Sequence, residues 1–571
     1  MPRRLARIAA QLFLPNPPFS LRRACSARLL RRPRARSTDT SSDQSALMDQ
    51  PSSRGSTSSQ EDKSDASSRI VRSKVEVQLH HLPLDILQAI FSRLSIKEVV
   101  RMSLLSSEWR RLRICHPDLV FTKETFLGSN TSTDTDTTSA DEFITKVDSV
   151  LHPLWSTSTT SATTLNKFVV KFGLDRSHKD HIDKWISFST ALRAKHVGLV
   201  FKLGVTWSDS EDDKYDVPLC NFSGPNGSCV ESLDMCYVCL KLPPSFCGIR
   251  NLKKLMLHTV SVSISDFQCL LLSCDLLESL NIEEINWLGR GYFSYPTLCI
   301  HQKLCRLQYL RMCDCRLSLL ELHAPNLATI DFDNRLCQIV LIESLKLSEA
   351  TFSSHRTTRT GVHDALGMVW DRVPTDLPHL HRLFLDLPLE TSVRSFSKTH
   401  TRFMKLRYLN INLQIAAGER RLPEDTSWVM GLVNLLELTP LLEELELHMN
   451  AHNHCRGNNR PASRMVKAVQ GHINRHLTSV YMTGVSSIVG VIELALYILG
   501  NSTALERMVV DSVVRNGHGS SETDQIYSVS KASEFVPPSR DEQYMYGMVM
   551  DRKFVKEHLD REEYRHVLTI L

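Results

Sequence analysis

Residues 264–282 read ISDFQCLLLSCDLLESLNI. The closing LLESLNI sets apolar side chains at Leu277, Leu280 and Ile282, the form L-x-x-L-x-L. Leu280 and Ile282 are two residues apart, so an extended chain points both to one side, with Asn281 between them on the other. The preceding ISDFQCLLLSC is apolar enough to carry the chain back along the far side of such a strand. One strand and one return segment cannot bury that apolar side alone. Stacked copies bury it as a continuous core behind a curved parallel sheet.

The same form recurs in VESLDM, NLKKLML, RLQYLRM, NLATIDF, LIESLKL, HLHRLFL, KLRYLNI, LLEELEL and ALERMVV. Its central positions are Leu233, Leu255, Leu280, Leu310, Ile330, Leu345, Leu383, Leu409, Leu445 and Met508. Many spacings lie near the ~20–29 residues of a leucine-rich repeat, and the longer ones imply insertions or degenerate units. The expected fold class is α/β, a leucine-rich-repeat solenoid with parallel strands; an ordinary α/β domain with several parallel strands is the alternative. Outward positions between the buried leucines are candidates for recognition: Lys254, Met256, Arg311, Arg407 and Asn410.

Ahead of the repeats, residues 79–121 read LHHLPLDILQAIFSRLSIKEVVRMSLLSSEWRRLRICHPDLVF. Pro83 suits a first helical turn, and Leu84, Leu87, Phe91 and Leu94 follow at helical spacing, widened by Ile86 and Ile90. Ser95 and Glu98 form a capping box for a second helix buried through Val99, Met102 and Leu105. Ser106 caps a third short helix that holds Trp109. Three such helices bury little by themselves, so apolar surface on Leu82, Ile86 and Ile90 is expected to remain for another protein.

This segment resembles the F-box of plant F-box proteins: L-P-x-D-x-L-x-x-I-F-S-x-L, then K-E-x-V-R-x-S-x-L-S-x-x-W-R-x-L. The resemblance implies that the module binds a Skp1-type adaptor and, through it, a cullin-RING ubiquitin ligase. Leu82, Pro83, Ile86, Ile90 and Leu94 would then face the adaptor, while Leu87, Phe91, Val99, Leu105 and Trp109 pack the module. The likeness extends past the F-box. LNKFVVKFGL with HIDKWISFSTALRAKHVGLVF is similar to the entry segment of the leucine-rich plant F-box family. HLTSVYMTGVSSIVGVIELALYILGNSTALERMVVD is similar to the FBD-like C-terminal domain of many members. It implies a helix over 493–499 and a strand over 505–510.

The expected organisation is therefore a basic and Ser/Thr-rich region at 1–74, an F-box at 75–122, and a linker with a short amphipathic helix at 123–164. The repeats follow at 165–460, and an FBD-like region at 461–571. The first 36 residues hold ten arginines and no acid. With Leu5, Ile8, Leu12 and Phe13 on one helical face they resemble an organelle transit peptide; a basic arm ahead of a working start at Met48 is the alternative. The F-box machinery argues for the nucleus or cytoplasm.

Composition narrows the function. The chain has 571 residues, with 68 basic against 63 acidic side chains and a net charge of +5, too balanced for a general polyanion binder. No apolar run reaches the ~18 residues of a spanning helix. Neither direct nucleic-acid nor membrane binding is expected. Fifteen cysteines, twelve of them between Cys220 and Cys337, read as reduced and mostly buried thiols. The lone C-x-x-C, Cys236–Cys239, lacks a second pair at zinc spacing, and Cys313 and Cys315 are expected to share one face of a strand. His448, His452, His454 and Cys455 are dense in donors but lie in a polar, Asn-rich insertion. No phosphate loop, dinucleotide fingerprint or H-E-x-x-H motif occurs, so no cofactor, metal or catalytic residue is expected. The leading expectation is a non-catalytic substrate receptor of a ubiquitin ligase with an unknown target protein. The alternatives are a non-degradative F-box scaffold and an enzyme with an unrecognised site.

Overall fold

The structure is a computed structural model that describes residues 86, 89–90, 92–94, 96–103, 116–126, 137–157, 164–201, 211–223, 229–289, 295–333, 338–353, 373–389, 401–415, 427–451, 473–484, 491–512 and 552–571. The chain divides into two units, residues 1–115 and 116–571.

In the first unit Ile86, Ala89 and Ile90 are helical, and a turn leads to the helix Ile96–Ser103. Glu98 sits in that helix's first turn and Arg101 in its last, each complementing the nearer end of the helix dipole. Val99 is fully buried. Ile90 and Leu94, expected to face an adaptor, are 2% and 8% exposed. In the chain by itself they pack inward, while Ile86 is only half-buried. Leu82, Pro83, Leu87, Phe91, Leu105 and Trp109, and the third helix, lie outside the described residues.

In the second unit the alternation becomes a sheet of fifteen parallel strands among the described residues. Neighbouring strands pair in an unshifted register, so each inward position stacks on its equivalent. One buried row runs Leu233, Leu255, Leu280, Leu310, Ile330, Ala350, Leu383, Leu409, Leu445, Val480 and Met508. A second runs two residues on, from Met235 and Leu257 through Phe332 and Phe352 to Met482 and Val510. The entry to each strand repeats as well. The carbonyl of Glu278 accepts from the amides of Gln308 and Tyr309, that of Gln308 from Ala328 and Thr329, and that of Ala328 from Ser348 and Glu349.

That register corrects one repeat. LIESLKL is not a strand centred on Leu345, which is 73% exposed. The strand is Glu349–Ser353, with Ala350 where other units carry leucine. Leu347 takes the place that Leu327 holds one unit earlier; both are buried. The sheet also begins before the boundary expected at 165. Asp118–Thr122 is its first strand, followed by Lys167–Lys171 and His196–Val200. The long gap after Leu445 contains a further strand, Ser479–Thr483.

The segment expected as a short bridging helix is the 21-residue helix Thr137–Thr157. Its buried residues include Phe143, Val147, Val150 and Leu151. Phe143 stacks on Phe172 at 4.1 Å. Its Asp148 accepts from the indole Nε1 of Trp185 at 2.7 Å and lies 2.8 Å from Nδ1 of His181, both on the helix Lys179–Ala191. The helix thus belongs to the repeat unit. At the other end, Val491–Asn501 is helical and Arg507–Asp511 is a strand, which pairs with the final strand Leu568–Ile570.

The return segments vary. Ile264–Leu272 and Ser427–Leu438 are helices, whereas others form parallel sheets of four and three short strands. At several corners the residue just after the main strand has positive φ: Tyr237 at 61°, Thr259 at 52°, Glu284 at 51° and Asp314 at 47°. None is glycine. Each still donates its amide to the next repeat, as Thr259 does to Glu283 at 2.9 Å, and that rung holds the corner in its unusual conformation.

The cysteines need a second correction. All eleven described are free thiols, but only Cys236, Cys239, Cys274 and Cys315 are buried, while Cys220, Cys247, Cys269 and Cys305 are exposed. Cys313 and Cys315 do not share a face. The strand ends at Cys313 on the outward side, Asp314 turns the chain, and Cys315 is buried with its thiol 3.3 Å from the Ile282 carbonyl.

Candidate functional site: the outward face of the repeat sheet

Alternation that buries two positions of each strand turns the residue between them outward, and unshifted pairing aligns those residues across the sheet. The central outward row runs Asp234, Met256, Asn281, Arg311, Asp331, Thr351, Phe384, Asn410, Glu446 and Tyr481. Met256, Arg311 and Asn410 are therefore on one face. Lys254 is exposed at the start of the strand that carries Met256, two positions before it on the same face. Arg407 precedes its strand and pairs with Glu443.

Two patches differ in chemistry. In the first, Arg311 Nη1 lies 3.1 Å from Asp331 Oδ2. Burial pushes the Asp331 carboxyl above its usual range against the pull of that guanidinium. Asp234 is likewise pushed up by burial, opposed by Lys171 and His258. The Cys313 thiol is raised by burial and by the carboxylates of Asp333 and Glu283. A thiol held protonated in this way is a poor nucleophile.

The second patch lies on the strands Arg382–Leu389, Tyr408–Ile415, Glu444–Ala451 and Ser479–Thr483. The Arg382 guanidinium lies 4.2 Å from the ring centre of Tyr408 and 5.5 Å from that of Phe384, and its Nε is 3.3 Å from Glu349. Asn410 donates to Glu446 Oε2 at 2.9 Å and to the Tyr408 hydroxyl at 3.3 Å. His448 lies 3.4 Å from Glu446 through Nε2 and 2.8 Å from the Thr483 hydroxyl through Nδ1, with its ring edge-on to Tyr481 at 5.9 Å. Burial pushes the Tyr408 phenol up, so it stays a neutral hydrogen-bonding group. Arg382, Phe384, Tyr408, Glu446 and Tyr481 were missing from the expected surface. The signal was available in the residue between each pair of buried leucines, as in HRLFL and EELEL.

Among the described residues no three His, Cys, Asp or Glu side chains converge as a metal cage, and no helix is long and apolar enough to cross a membrane. His452, His454 and Cys455 lie outside the described residues.

A family model described as At1g61320/AtMIF1, LRR domain, matches residues 158–539, and an F-box domain model matches residues 79–112. The chain is 31% identical over 201 residues to the F-box/FBD/LRR-repeat protein At1g13570 of Arabidopsis thaliana, covering 35% of this chain and 42% of that one. It is 29% identical over 210 residues to the F-box protein At3g59000 of the same plant, covering 36% and 40%. These matches span about two-fifths of the length of those relatives.

Proposed function

The chain belongs to the leucine-rich-repeat family described as At1g61320/AtMIF1, here preceded by an F-box, and from that premise we propose that it is the target-binding subunit of an SCF-type (Skp1–cullin–F-box) E3 ubiquitin ligase. The observation that carries this reading is one F-box at 79–112 followed by a continuous parallel repeat sheet from Asp118 onward. The F-box docks on a Skp1-type adaptor and joins the cullin-RING module through it. The outward face of the repeats holds a target protein.

The mechanism is proximity. Tethering the target to the complex raises the effective concentration of its lysines at a ubiquitin-charged E2 enzyme. The receptor supplies no nucleophile and no cofactor, and it works in the nucleus or cytoplasm. Ile86 is half-buried and, with Leu82 and Pro83, forms the adaptor contact; Ile90 and Leu94 support it from inside.

The test is calorimetric titration of the full chain with a Skp1-type adaptor. Leu82→Ala should cost ~1–3 kcal/mol of affinity with helix content unchanged. Ile90→Ala should instead lower the stability of the F-box unit. Undiminished adaptor affinity in a folded Leu82→Ala chain would remove the assignment.

A further inference from the structure

The central outward row changes character along the sheet. Beyond Thr351 it presents aromatic rings and hydrogen-bond acceptors, within a chain that is net positive. On the strands from Arg382 to Asp511, the charged residues at outward positions are Arg382, Asp386, Glu444, Glu446, Arg507 and Asp511, four acids against two bases, with Asp386 and Asp511 buried at 4% and 1% exposure. Arg382 is already committed to Glu349 and to the Tyr408 ring.

The acceptors are placed as well as numerous. Glu446 is held on Oε2 by Asn410 at 2.9 Å and approached by His448 Nε2 at 3.4 Å, with its side chain 17% exposed. Asn412 lies one outward position further along the strand, between Asp386 and His448 in the neighbouring strands. It is 6% exposed, and its side-chain oxygen has no hydrogen-bond donor among the described residues. A buried carbonyl oxygen without a donor is costly to keep, so this position suits a ligand that brings N–H groups. The Arg382 guanidinium over Tyr408 is an internal instance of what the patch accommodates: a cation on a ring face beside a carboxylate.

We propose that the patch around Phe384, Tyr408, Asn412, Glu446 and Tyr481 recognises a target segment through an arginine or lysine side chain. The cation lies against Glu446 and the neighbouring rings, and its N–H groups reach the Asn412 oxygen. The proposal rests on the reading that the repeat face holds the target and names the chemistry of that target. An arginine serves best, because its planar fork can both stack on a ring and donate to two acceptors.

The experiment uses the full chain bound to its adaptor and a display library of random twelve-residue peptides. The winning peptide is then measured by fluorescence anisotropy in parallel with adaptor titration. Winners should share a basic residue at a fixed position. Replacing it by a neutral isostere, citrulline for arginine, should weaken binding at least ~10-fold. Glu446→Gln should produce a similar loss and Tyr481→Ala a smaller one, with adaptor affinity unchanged in both. The proposal is overturned if the winners carry an acidic or purely apolar consensus. It is equally overturned if no winner loses affinity on Glu446→Gln. Failure of the adaptor to bind the unmodified chain would instead count against the ligase reading, and the peptide result would stand apart from it.

Discussion

Removing the carboxylate of Asp148 should loosen the N-terminal end of the repeat sheet, and the size of the loss follows from its two contacts. Trp185 is 1% exposed, and its indole N–H points at Asp148 Oδ1 at 2.7 Å. Asp148→Ala leaves that donor buried without an acceptor, which costs ~1–3 kcal/mol. The contact to His181 is more than a third exposed on both sides, so it adds only ~0–1 kcal/mol. The expected total is about 1–4 kcal/mol, most of it at Trp185. Asp148→Asn keeps a carbonyl oxygen for the indole and gives up the negative charge beside His181, so it should cost ~0–1 kcal/mol. Urea denaturation followed by circular dichroism gives both values. Hydrogen exchange should show the loss concentrated in Thr137–Thr157 and Lys179–Ala191. Equal losses in the two variants, or a loss below ~0.5 kcal/mol in Asp148→Ala, would refute the idea that the buried indole donor sets the energy.

Three further outcomes are expected. Ala350 is fully buried between Ile330 and Leu383, so Ala350→Leu should overpack the row and cost ~1–3 kcal/mol in urea melts; a stabilised variant would mean that the row has an unfilled void. Thr259 is β-branched at a φ of 52°, so Thr259→Asn should gain ~0.5–1 kcal/mol in spite of losing a hydroxyl contact to Glu284, and a lowered urea midpoint would contradict the strain argument. Burial holds the Asp234 carboxyl above its unfolded value, so its charged form destabilises the fold increasingly as pH rises from the ordinary carboxylate value of ~4 through the raised one. Asp234→Asn should match the parent in acid and exceed it at neutral pH, and a gain independent of pH would rule this out.

The repeat strands were legible wherever both inward positions carried large aliphatic side chains. NLKKLML, LLESLNI and KLRYLNI announce their register because Leu or Ile fills both rows. At Ala350 one inward position shrinks, and the leucines of LIESL present a more regular pattern five residues early. Nearest-neighbour stacking tolerates that gap, because Phe352 stacks on Phe332 at 6.0 Å in the second row. The first strands were hard to place for a related reason. Beside Leu119, the rows there are filled by Phe121, Phe168 and Val170, so the paired-leucine signature is missing although the geometry is the same. The helix Thr137–Thr157 was legible as an amphipathic segment, but its attachment was not. Asp148 reaches Trp185 across 37 positions of sequence, and nothing local to either residue signals the pairing.

The outward patch was the least legible part for the same physical reason, carried further. Each of its strands contributes one or two residues, and the contributions come from segments separated by 26 to 36 positions, as Arg382 is from Tyr408 and Asn410 from Glu446. No window of the sequence contains the cluster. Alternation can say that Asn410 faces outward, but only the register says that its neighbour is Glu446 rather than His448. A slip of one residue would exchange the buried row for the exposed one. A slip of two would keep every leucine buried and still dismantle the patch, moving Glu446 away from Asn410 and Tyr481. The buried rows therefore constrain the fold without constraining recognition. The outward residues can change from unit to unit at little cost to the core, and one repeat architecture can carry many target specificities.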